Sequence, residues 1–218
     1  LGTLRADGPV AMPPTQATPR WRLQLWLVVG AVGWLVALLA LSTYTRTDPG
    51  FSTSGTGAPL ANKAGVIGAW TADAAFFFFG ASAWWLLVAA LRGWLALLAR
   101  WLRADAPAQP AVTSPWLRVV LGLAMLMLAS CALEWTRLYR LDALLPGGQS
   151  GGVLGAWAGS VSMRWLGFAG SGVSCIAMLV LGLSFAFGFS WAGIADRIGA
   201  AIEGLWMRRS AQRERDED

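Results

Sequence analysis

The chain has 218 residues, of which 56% are hydrophobic and only 13% are charged, and its formal net charge is +5. A soluble domain carries about 25% charged residues, so a chain this poor in charge would expose large apolar patches in water. Histidine is absent and there are only two cysteines, Cys131 and Cys175, which excludes histidine-based catalysis, Ser-His-Asp triads and multi-cysteine zinc sites.

Apolar runs divide the chain into membrane spans. Residues 1–20 contain four prolines among small residues, which predicts a disordered arm. A membrane-spanning helix needs roughly 20 mostly apolar residues. By this criterion residues 21–191 form a four-helix transmembrane domain, with spans over 23–43, 74–98, 116–134 and 167–189. The first span is long and has no clear small-residue cleavage site behind it, so we expect an anchor and not a cleaved signal peptide.

The first connection and the second span hold a turn and an acidic residue. Asp48-Pro49-Gly50 is a turn signal, because proline fixes φ and glycine permits positive φ. Asp73 stands at the start of the second span. An acid at membrane depth is often functional, but hydration or helix N-terminal capping satisfies one near the interface. The structural interpretation of Asp73 is the favoured one.

The third span follows a linker over residues 104–115. Glu134 ends this span and Arg137 follows three residues later, a spacing that predicts a local ion pair on one helix. Cys131 and Cys175 both lie within apolar runs, where small helix-packing residues are a better interpretation than a disulfide.

The segment after the fourth span is predicted to be helical. Ser190 is a candidate N-cap, and residues 192–218 predict an amphipathic helix followed by the start of a linker. The pattern fits a helix lying in the membrane interface and equally a stem that continues into a soluble region.

The basic residues set the expected orientation. With four spans, both termini lie on one side of the membrane, and that side carries 12 of the 17 basic residues. Positive residues concentrate in cytoplasmic segments. We therefore expect both termini in the cytoplasm.

The two halves of the chain are similar. The segment Gly65-Val-Ile-Gly68-Ala-Trp70 recurs 87 residues later as Gly152-Val-Leu-Gly155-Ala-Trp157, and Gly80 recurs as Gly167 at the same offset. Chance is the competing explanation, because glycine, alanine and tryptophan are abundant. If real, the repeat predicts an all-α membrane protein whose four helices form two similar hairpins in parallel orientation.

Ordered motifs over residues 20–200 carry a family resemblance. They are Ser42-x-Tyr44, Asp48-Pro49-Gly50-Phe51-Ser52, Gly68-Ala-Trp-x-Ala-Asp73, Phe79-Gly80-x-Ser82-Ala83, Pro146-Gly147, Gly151-Gly152-x-Leu154-Gly155 and Leu181-Gly182-Leu183-Ser184. In this order and spacing the chain resembles the N-terminal four-helix membrane domain of the FtsK/SpoIIIE family of DNA translocases.

The resemblance implies a multi-pass protein of the bacterial inner membrane, concentrated at the division septum. It implies a non-enzymatic anchor and assembly domain that acts in cell division and chromosome segregation, through helix–helix and periplasmic-loop contacts. The expected partners are the lipid bilayer, further copies of the chain and other division proteins, whereas DNA and ATP would be bound only by a motor region outside this chain. No catalytic residue, metal or cofactor is expected.

The glycine-rich loops and their flanks supply the candidate contact residues. The candidates for assembly and partner contacts are Asp48, Pro49, Gly50, Asn62, Gly65, Gly68, Trp70, Asp73, Gly80, Gly152, Gly155 and Trp157. The alternative function is one half of a small transporter or channel, which a parallel repeat would suit. Against it, the spans show no mid-membrane charged residues and no proline-broken helices of the kind that mark a substrate path.

Overall fold

The computed structural model describes residues 20–103, 115–142, 150–191 and 193–204, and this part of the chain is helical and contains no strand. The predicted arm apart from Arg20, residues 104–114 of the predicted linker and residues 205–218 lie outside the described residues. Four helical segments are long and apolar enough to cross a membrane: Trp21–Ser42, Gly65–Leu102, Trp116–Arg137 and Gly152–Phe187. The prediction of an all-α protein with four spans is confirmed.

The first hairpin consists of α1 (Arg20–Ser42), α2 (Gly65–Phe79) and α3 (Trp84–Leu102). Two tryptophans join α1 to α3, Trp34 to the Leu87 carbonyl and Trp94 to the Leu27 carbonyl, so α3 runs antiparallel along α1. Ala40 at the end of α1 shares a small buried core with Ala72, Phe76 and Ala83. Helix α2 therefore lies against the end of α1, and α3 is the segment that returns along it.

The second hairpin consists of α4 (Pro115–Arg137) and α5 (Gly152–Phe187), which pack along each other. Glycines allow the two helices to approach closely: a Cβ added to Gly182 would lie 2.7 Å from the Leu126 nitrogen and 3.0 Å from the Gly122 oxygen. Small residues allow helices to approach closely where there is no water to drive their association. We call the side with residues 43–64, 138–142 and 150–151 the loop end, and the side where α1 and α4 begin the terminal end.

A break at a glycine occurs at the same place in both hairpins. Gly80 (φ 58°, ψ −149°) ends α2 and begins the 3₁₀ turn Gly80–Ala83. Gly167 (φ 64°, ψ −174°) interrupts α5. Glycine enters this left-handed region readily because it has no Cβ. Gly65 and Gly152, also 87 residues apart, have positive φ as well, so the repeat in the sequence is also a repeat of backbone conformation.

The breaks divide each long helix into two segments. After them, α3 has 19 residues and α5 has residues 168–187, which at 1.5 Å per residue makes each about 30 Å long, the thickness of a hydrocarbon core. The fourth span was predicted to begin at residue 167, the position of its break. The predicted second span starts ten residues before α3. Asp73 and Arg164, from which the span limits were argued, both lie inside helices, because a single charged residue does not end a helix.

The chain after α5 begins a further helix at the predicted cap. The Gly193 N–H donates to the Ser190 Oγ at 3.2 Å, and residues 193–204 are helical. Ser190 is thus confirmed as an N-cap residue.

Candidate functional site

Asp48 closes the first connection at the loop end. Its side chain is buried, and its two carboxylate oxygens accept the N–H groups of Ala61 and Asn62, each at 2.8 Å. The bond from Ala61 is the main cause that lowers the pKa of Asp48 below its usual value. Within the closed segment, Gly55 has φ +76°, and a Cβ there would lie 2.8 Å from the Pro49 nitrogen. The predicted turn at residues 48–50 is therefore the start of a tightly folded loop.

Asn62 links the end of α1 to the beginning of α2. Its amide nitrogen donates to the Ala40 carbonyl at 2.9 Å, and its amide oxygen accepts the Ala64 N–H at 2.9 Å. The last carbonyls of a helix and the first N–H groups of the next have no partner within their helices. Gly68 lies directly beside this junction, where a Cβ would be 2.9 Å from the Asn62 oxygen and 3.3 Å from the Ala40 Cβ.

Asp73 binds the first connection to α2. Its carboxylate accepts the Tyr44 hydroxyl at 2.8 Å, the Ser52 N–H at 2.5 Å and the Ser52 hydroxyl at 2.8 Å. Gly50 packs against it, since a Cβ at Gly50 would lie 2.7 Å from Asp73. Burial, and then the bond to Asp73, raise the pKa of Tyr44 above its usual range. Asp73 has a structural role here, with loop donors as partners in place of water or a helix terminus.

Glu134 joins the two hairpins. It does not pair with Arg137 as predicted: its carboxylate accepts the N–H groups of Ala81 and Gly151, each at 2.9 Å, and the Ser82 hydroxyl. Ala81 belongs to the break in the first hairpin, whereas Gly151 precedes α5. The local i,i+3 pair is lost because unpartnered N–H groups at the break and at the start of α5 offer the buried carboxylate better donors.

Arg137 binds the backbone beside the second break. It donates to the Phe168 carbonyl, directly after Gly167, and its guanidinium carbon lies 3.4 Å from the centre of the Phe168 ring. Glu134 and Arg137 therefore bind opposite kinds of backbone group: Glu134 accepts N–H groups at the first break, and Arg137 donates to a C=O group that follows the second.

The remaining predicted residues fall into three groups. Gly80, Gly152 and Gly155 are close-approach positions: a Cβ at Gly80 would lie 2.7 Å from the Gly151 Cα, one at Gly152 would lie 2.6 Å from the Phe77 oxygen, and one at Gly155 would meet the Cys131 carbonyl. Trp70 and Trp157 are instead exposed, by 49% and 61%. Gly65 needs glycine only for its φ of +75°, because nothing lies within 4 Å of a Cβ there.

Sequence reasoning missed the partners of these residues. Tyr44 and Ser52 donate hydrogen bonds to Asp73, and Ser82 donates one to Glu134. All three residues stand in the quoted family motifs, but the motifs did not indicate these partners. Cys131 and Cys175 are both free, as expected. In the described residues there is no cluster of three or more histidine, cysteine or acidic side chains that would hold a metal ion.

Comparison with known proteins assigns the family. The family described as the 4TM region of DNA translocase FtsK/SpoIIIE matches residues 20–199. The chain belongs to this family. It is 35% identical over 99% of its length to DNA translocase FtsK 2 of Ralstonia nicotianae, and 33% identical over 86% of its length to DNA translocase FtsK of Pseudomonas syringae pv. syringae. DNA translocase FtsK of Vibrio vulnificus is 30% identical over 80% of the chain. No solved structure matches.

The chain covers only part of each of these relatives. It spans about a quarter of the length of two of them, 27% in Ralstonia nicotianae and 24% in Pseudomonas syringae, and 17% in Vibrio vulnificus. The matched part is the membrane region of the FtsK/SpoIIIE family, which agrees with the expectation that these residues form no enzyme. The chain is thus the membrane domain of a DNA translocase and a multi-pass protein of the bacterial inner membrane.

Proposed function

We propose that this FtsK/SpoIIIE membrane domain is a non-enzymatic anchor and assembly domain that holds its translocase at the division septum. Its role in cell division and chromosome segregation is to bring copies of the protein together and to contact other division proteins. DNA and ATP are then bound by a part of the protein outside these residues. The contacts are made by helices within the bilayer and by the loop end.

The loop end supports this proposal because it holds exposed aromatic side chains on a fixed backbone. Phe51 is 42% exposed and packs edge to face on Trp70, with ring centroids 5.5 Å apart. The backbone beneath them is held by the buried carboxylates of Asp48 and Asp73. Aromatic residues are enriched in protein interfaces, and preorganised side chains lose little entropy on binding.

Substitution of the exposed tryptophans tests this contact. Trp70→Ala and Trp157→Ala remove surface aromatic rings that no hydrogen bond holds in place, so both variants should fold. In a full-length protein fused to a fluorescent protein, they should reduce the fraction found at the septum. Trp165→Ala, which removes a ring 81% exposed on α5 outside the two repeated segments, is the matched control. Septal localisation equal to wild type in both variants, at equal expression, would contradict the proposal.

Self-assembly has its own test on α1. This helix presents apolar side chains along its length, including Val29 (58% exposed) and Val36 (48% exposed), a surface that lipid or a helix of a second copy would cover. Val29→Cys should form intermolecular disulfides in oxidised membranes, because Cys131 and Cys175 are buried. A chain that stays monomeric at physiological abundance would remove the homo-oligomer from the proposal.

The proposed orientation places both termini in the cytoplasm, which the 12 basic residues of that side support. Ser54→Cys lies in the exposed first connection, and Leu102→Cys lies at the exposed end of α3. A membrane-impermeant thiol reagent should label Ser54→Cys in spheroplasts and Leu102→Cys only after permeabilisation. The reverse pattern would invert the topology.

One observation favours the alternative function, one half of a small transporter or channel. Helices broken at corresponding positions of two repeats are typical of transporters, and Gly80 and Gly167 form such a pair, although the breaks occur at glycine and not at proline. The groups exposed at the breaks are bonded to Glu134 and Arg137, so the chain itself supplies partners that a substrate would otherwise provide. Reconstituted in liposomes, the chain should give no proton or potassium flux above empty vesicles. A flux abolished by Glu134→Gln would favour the transporter.

A further inference from the structure

Inside the chain, the two hairpins meet through a glycine break and a helix start. Gly80, at the first break, lies against Gly151. A Cβ at Gly152, the first residue of α5, would lie 2.6–2.7 Å from backbone atoms of residues 77–79. Glu134 accepts N–H groups from both sides of this contact. The break of one hairpin is thus joined to the helix start of the next, and we call this arrangement the break-to-start contact.

Each hairpin carries both of these elements. The break at Gly167 repeats the break at Gly80, and both glycines have positive φ. The start of α2 at Gly65 repeats the start of α5 at Gly152 in the same way. The contact inside the chain therefore leaves the second break and the start of α2 unused. Parallel repeats are related by an axis along the membrane normal, so the two unused elements lie at the same depth in the bilayer.

The two unused elements are open, whereas their counterparts are covered. Gly80 and Gly152 are buried, but Gly167 is exposed and Gly65 is half-buried. Among the residues that the structure describes, none beyond the glycine's own neighbours in the chain lies within 4 Å of a Cβ at Gly167 or Gly65. Each unused element therefore has room for the backbone of another helix.

Side chains beside these glycines differ in the same way. Phe79 and Leu154 are half-buried and line one cavity between the hairpins. Their counterparts 87 residues away, Leu166 and Ile67, are 50% and 79% exposed. A second break-to-start contact, between two copies, would bring Leu166 of one copy beside Ile67 of the next and cover both.

One position differs between the two helix starts. Gly151 has Ala64 as its counterpart, and alanine adds a methyl group. That methyl group lies against Gly68, inside its own hairpin. The substitution therefore leaves the backbone at Gly65 open to a neighbouring copy.

Helix α1 has the exposure that a second contact of this kind requires. Its counterpart α4 packs against the 3₁₀ turn of the first break as well as against α5. Of the most apolar 18 residues in each span, 39% are buried in α4 and 11% in α1. The second break of a neighbouring copy would cover α1 as the first break covers α4.

We infer that copies of this chain associate head to tail, with the second break of one copy against α1 and the start of α2 in the next. The partner is a second copy because each chain carries both halves of a contact that it already makes once internally. A head-to-tail contact leaves one unused half at each end, so association continues beyond a dimer. This inference rests on the self-assembly in the proposed function and names the surface that produces it.

Cross-linking between two cysteine variants tests the contact. Full-length proteins with Ile67→Cys or Leu166→Cys, carrying different tags, are produced in the same membrane and treated with a short bismaleimide. The mixture should give a product with both tags, and the double variant should give a ladder beyond the dimer. Each variant alone should give no product, because identical residues do not meet in a head-to-tail contact and the native cysteines are buried. A dimer from either variant alone, or no product from the mixture, would overturn the inference.

A charge at the contact provides a second test. Ile67→Glu should lower co-purification of two differently tagged copies roughly tenfold or more, because an unpaired charge in a dehydrated contact is costly. Val66→Glu is the matched control: Val66 and its counterpart Val153 are exposed in both hairpins, by 58% and 43%, and so lie outside the contact. Equal co-purification of the two variants would overturn the inference.

The same experiments separate this surface from self-assembly as such. Disulfides in Val29→Cys without a product from the Ile67→Cys and Leu166→Cys mixture would overturn the head-to-tail contact and leave the proposed self-assembly intact. Absence of association in both assays would overturn the two together.

Discussion

Trp34 and Trp94 donate hydrogen bonds in opposite directions across the contact between α1 and α3. The Trp34 indole N–H lies 2.9 Å from the Leu87 oxygen, and that of Trp94 lies 2.8 Å from the Leu27 oxygen. The two bonds are separated by seven residues on each helix. Together they fix both the spacing and the register of the first hairpin, which otherwise packs through apolar side chains.

Removal of either indole donor should destabilise the hairpin modestly. Trp34→Phe and Trp94→Phe keep an aromatic ring and lose one hydrogen bond, which is worth about 1 kcal/mol. Thermal unfolding in detergent micelles, followed by circular dichroism, should show a lower midpoint for each variant. Trp26→Phe, at an exposed position of α1, should unfold like the wild type. Equal midpoints for all three variants would mean that the bonds contribute nothing to stability.

The two breaks should differ in their tolerance of alanine. Gly167→Ala places a Cβ in open space, so its only cost is the strain of a backbone conformation that is essentially restricted to glycine, φ 64° and ψ −174°, about 1–3 kcal/mol. Gly80→Ala pays that cost and also meets the Gly151 backbone and the Glu134 carboxylate at 2.5–2.7 Å, which overpacks the junction by about a further 1–3 kcal/mol. The unfolding midpoint should therefore fall more for Gly80→Ala.

Gly33→Ala provides the control for this comparison. Gly33 is helical with nothing within 4 Å of a Cβ, so alanine there should be neutral or stabilising by up to about 1 kcal/mol. If Gly167→Ala proved as harmful as Gly80→Ala, the second break would have contacts that the structure does not show.

Glu134 should tolerate glutamine better than alanine. A glutamine oxygen can still accept the Ala81 and Gly151 N–H groups, while its amide faces the Ser82 hydroxyl, which can accept. Alanine leaves three buried donors without a partner, at about 1–3 kcal/mol each. The free energy of unfolding should thus decrease more for Glu134→Ala than for Glu134→Gln. Glu203→Ala, at an exposed site, should change it little, and a reversed order would show that the charge itself is required.

The first connection should loosen at acidic pH. The pKa of Asp48 in the folded domain lies below its usual value. The stabilisation that the Asp48 carboxylate gives the loop is therefore complete above the usual pKa, about 3.9, and is lost as the pH falls through the lower pKa of the folded domain. Hydrogen exchange at Ala61 and Asn62, corrected for intrinsic rates, should accelerate at pH 2–3 relative to pH 6. In Asp48→Asn this step should be absent; if it persists, another acid controls the loop.

The repeat could be predicted from the sequence because glycines recur at the same positions in both halves of the chain. Gly65, Gly80, Gly152 and Gly167 recur at one offset, and all four have the positive φ that only glycine adopts without strain. A residue chosen for backbone conformation is visible in a single sequence, since few other residues can replace it. The equal spacing of these glycines in the sequence therefore corresponds to matching backbone conformations in the two hairpins.

The partners of the buried acids were not predictable in the same way. Glu134 and Arg137 satisfy the simplest local rule for an ion pair, yet each binds a break in another helix. The Glu134 contact forms only when the two hairpins meet, and the Arg137 contact only when α5 packs along α4, between residues 53 and 31 apart in the chain. Local spacing identified Asp73 and Glu134 as polar residues to be explained, but only the fold shows that they hold loops and junctions together.

The acidic side chains at the loop end share a property with a consequence for the cell. Asp48, Asp73 and Glu134 are held by N–H and O–H donors of uncharged groups, not by arginine or lysine. Dissolved ions weaken attraction between opposite charges over about 8 Å at physiological ionic strength, but have little effect on short bonds to neutral donors inside the protein. The shape of this end should therefore persist when the ionic strength of the surrounding compartment rises or falls.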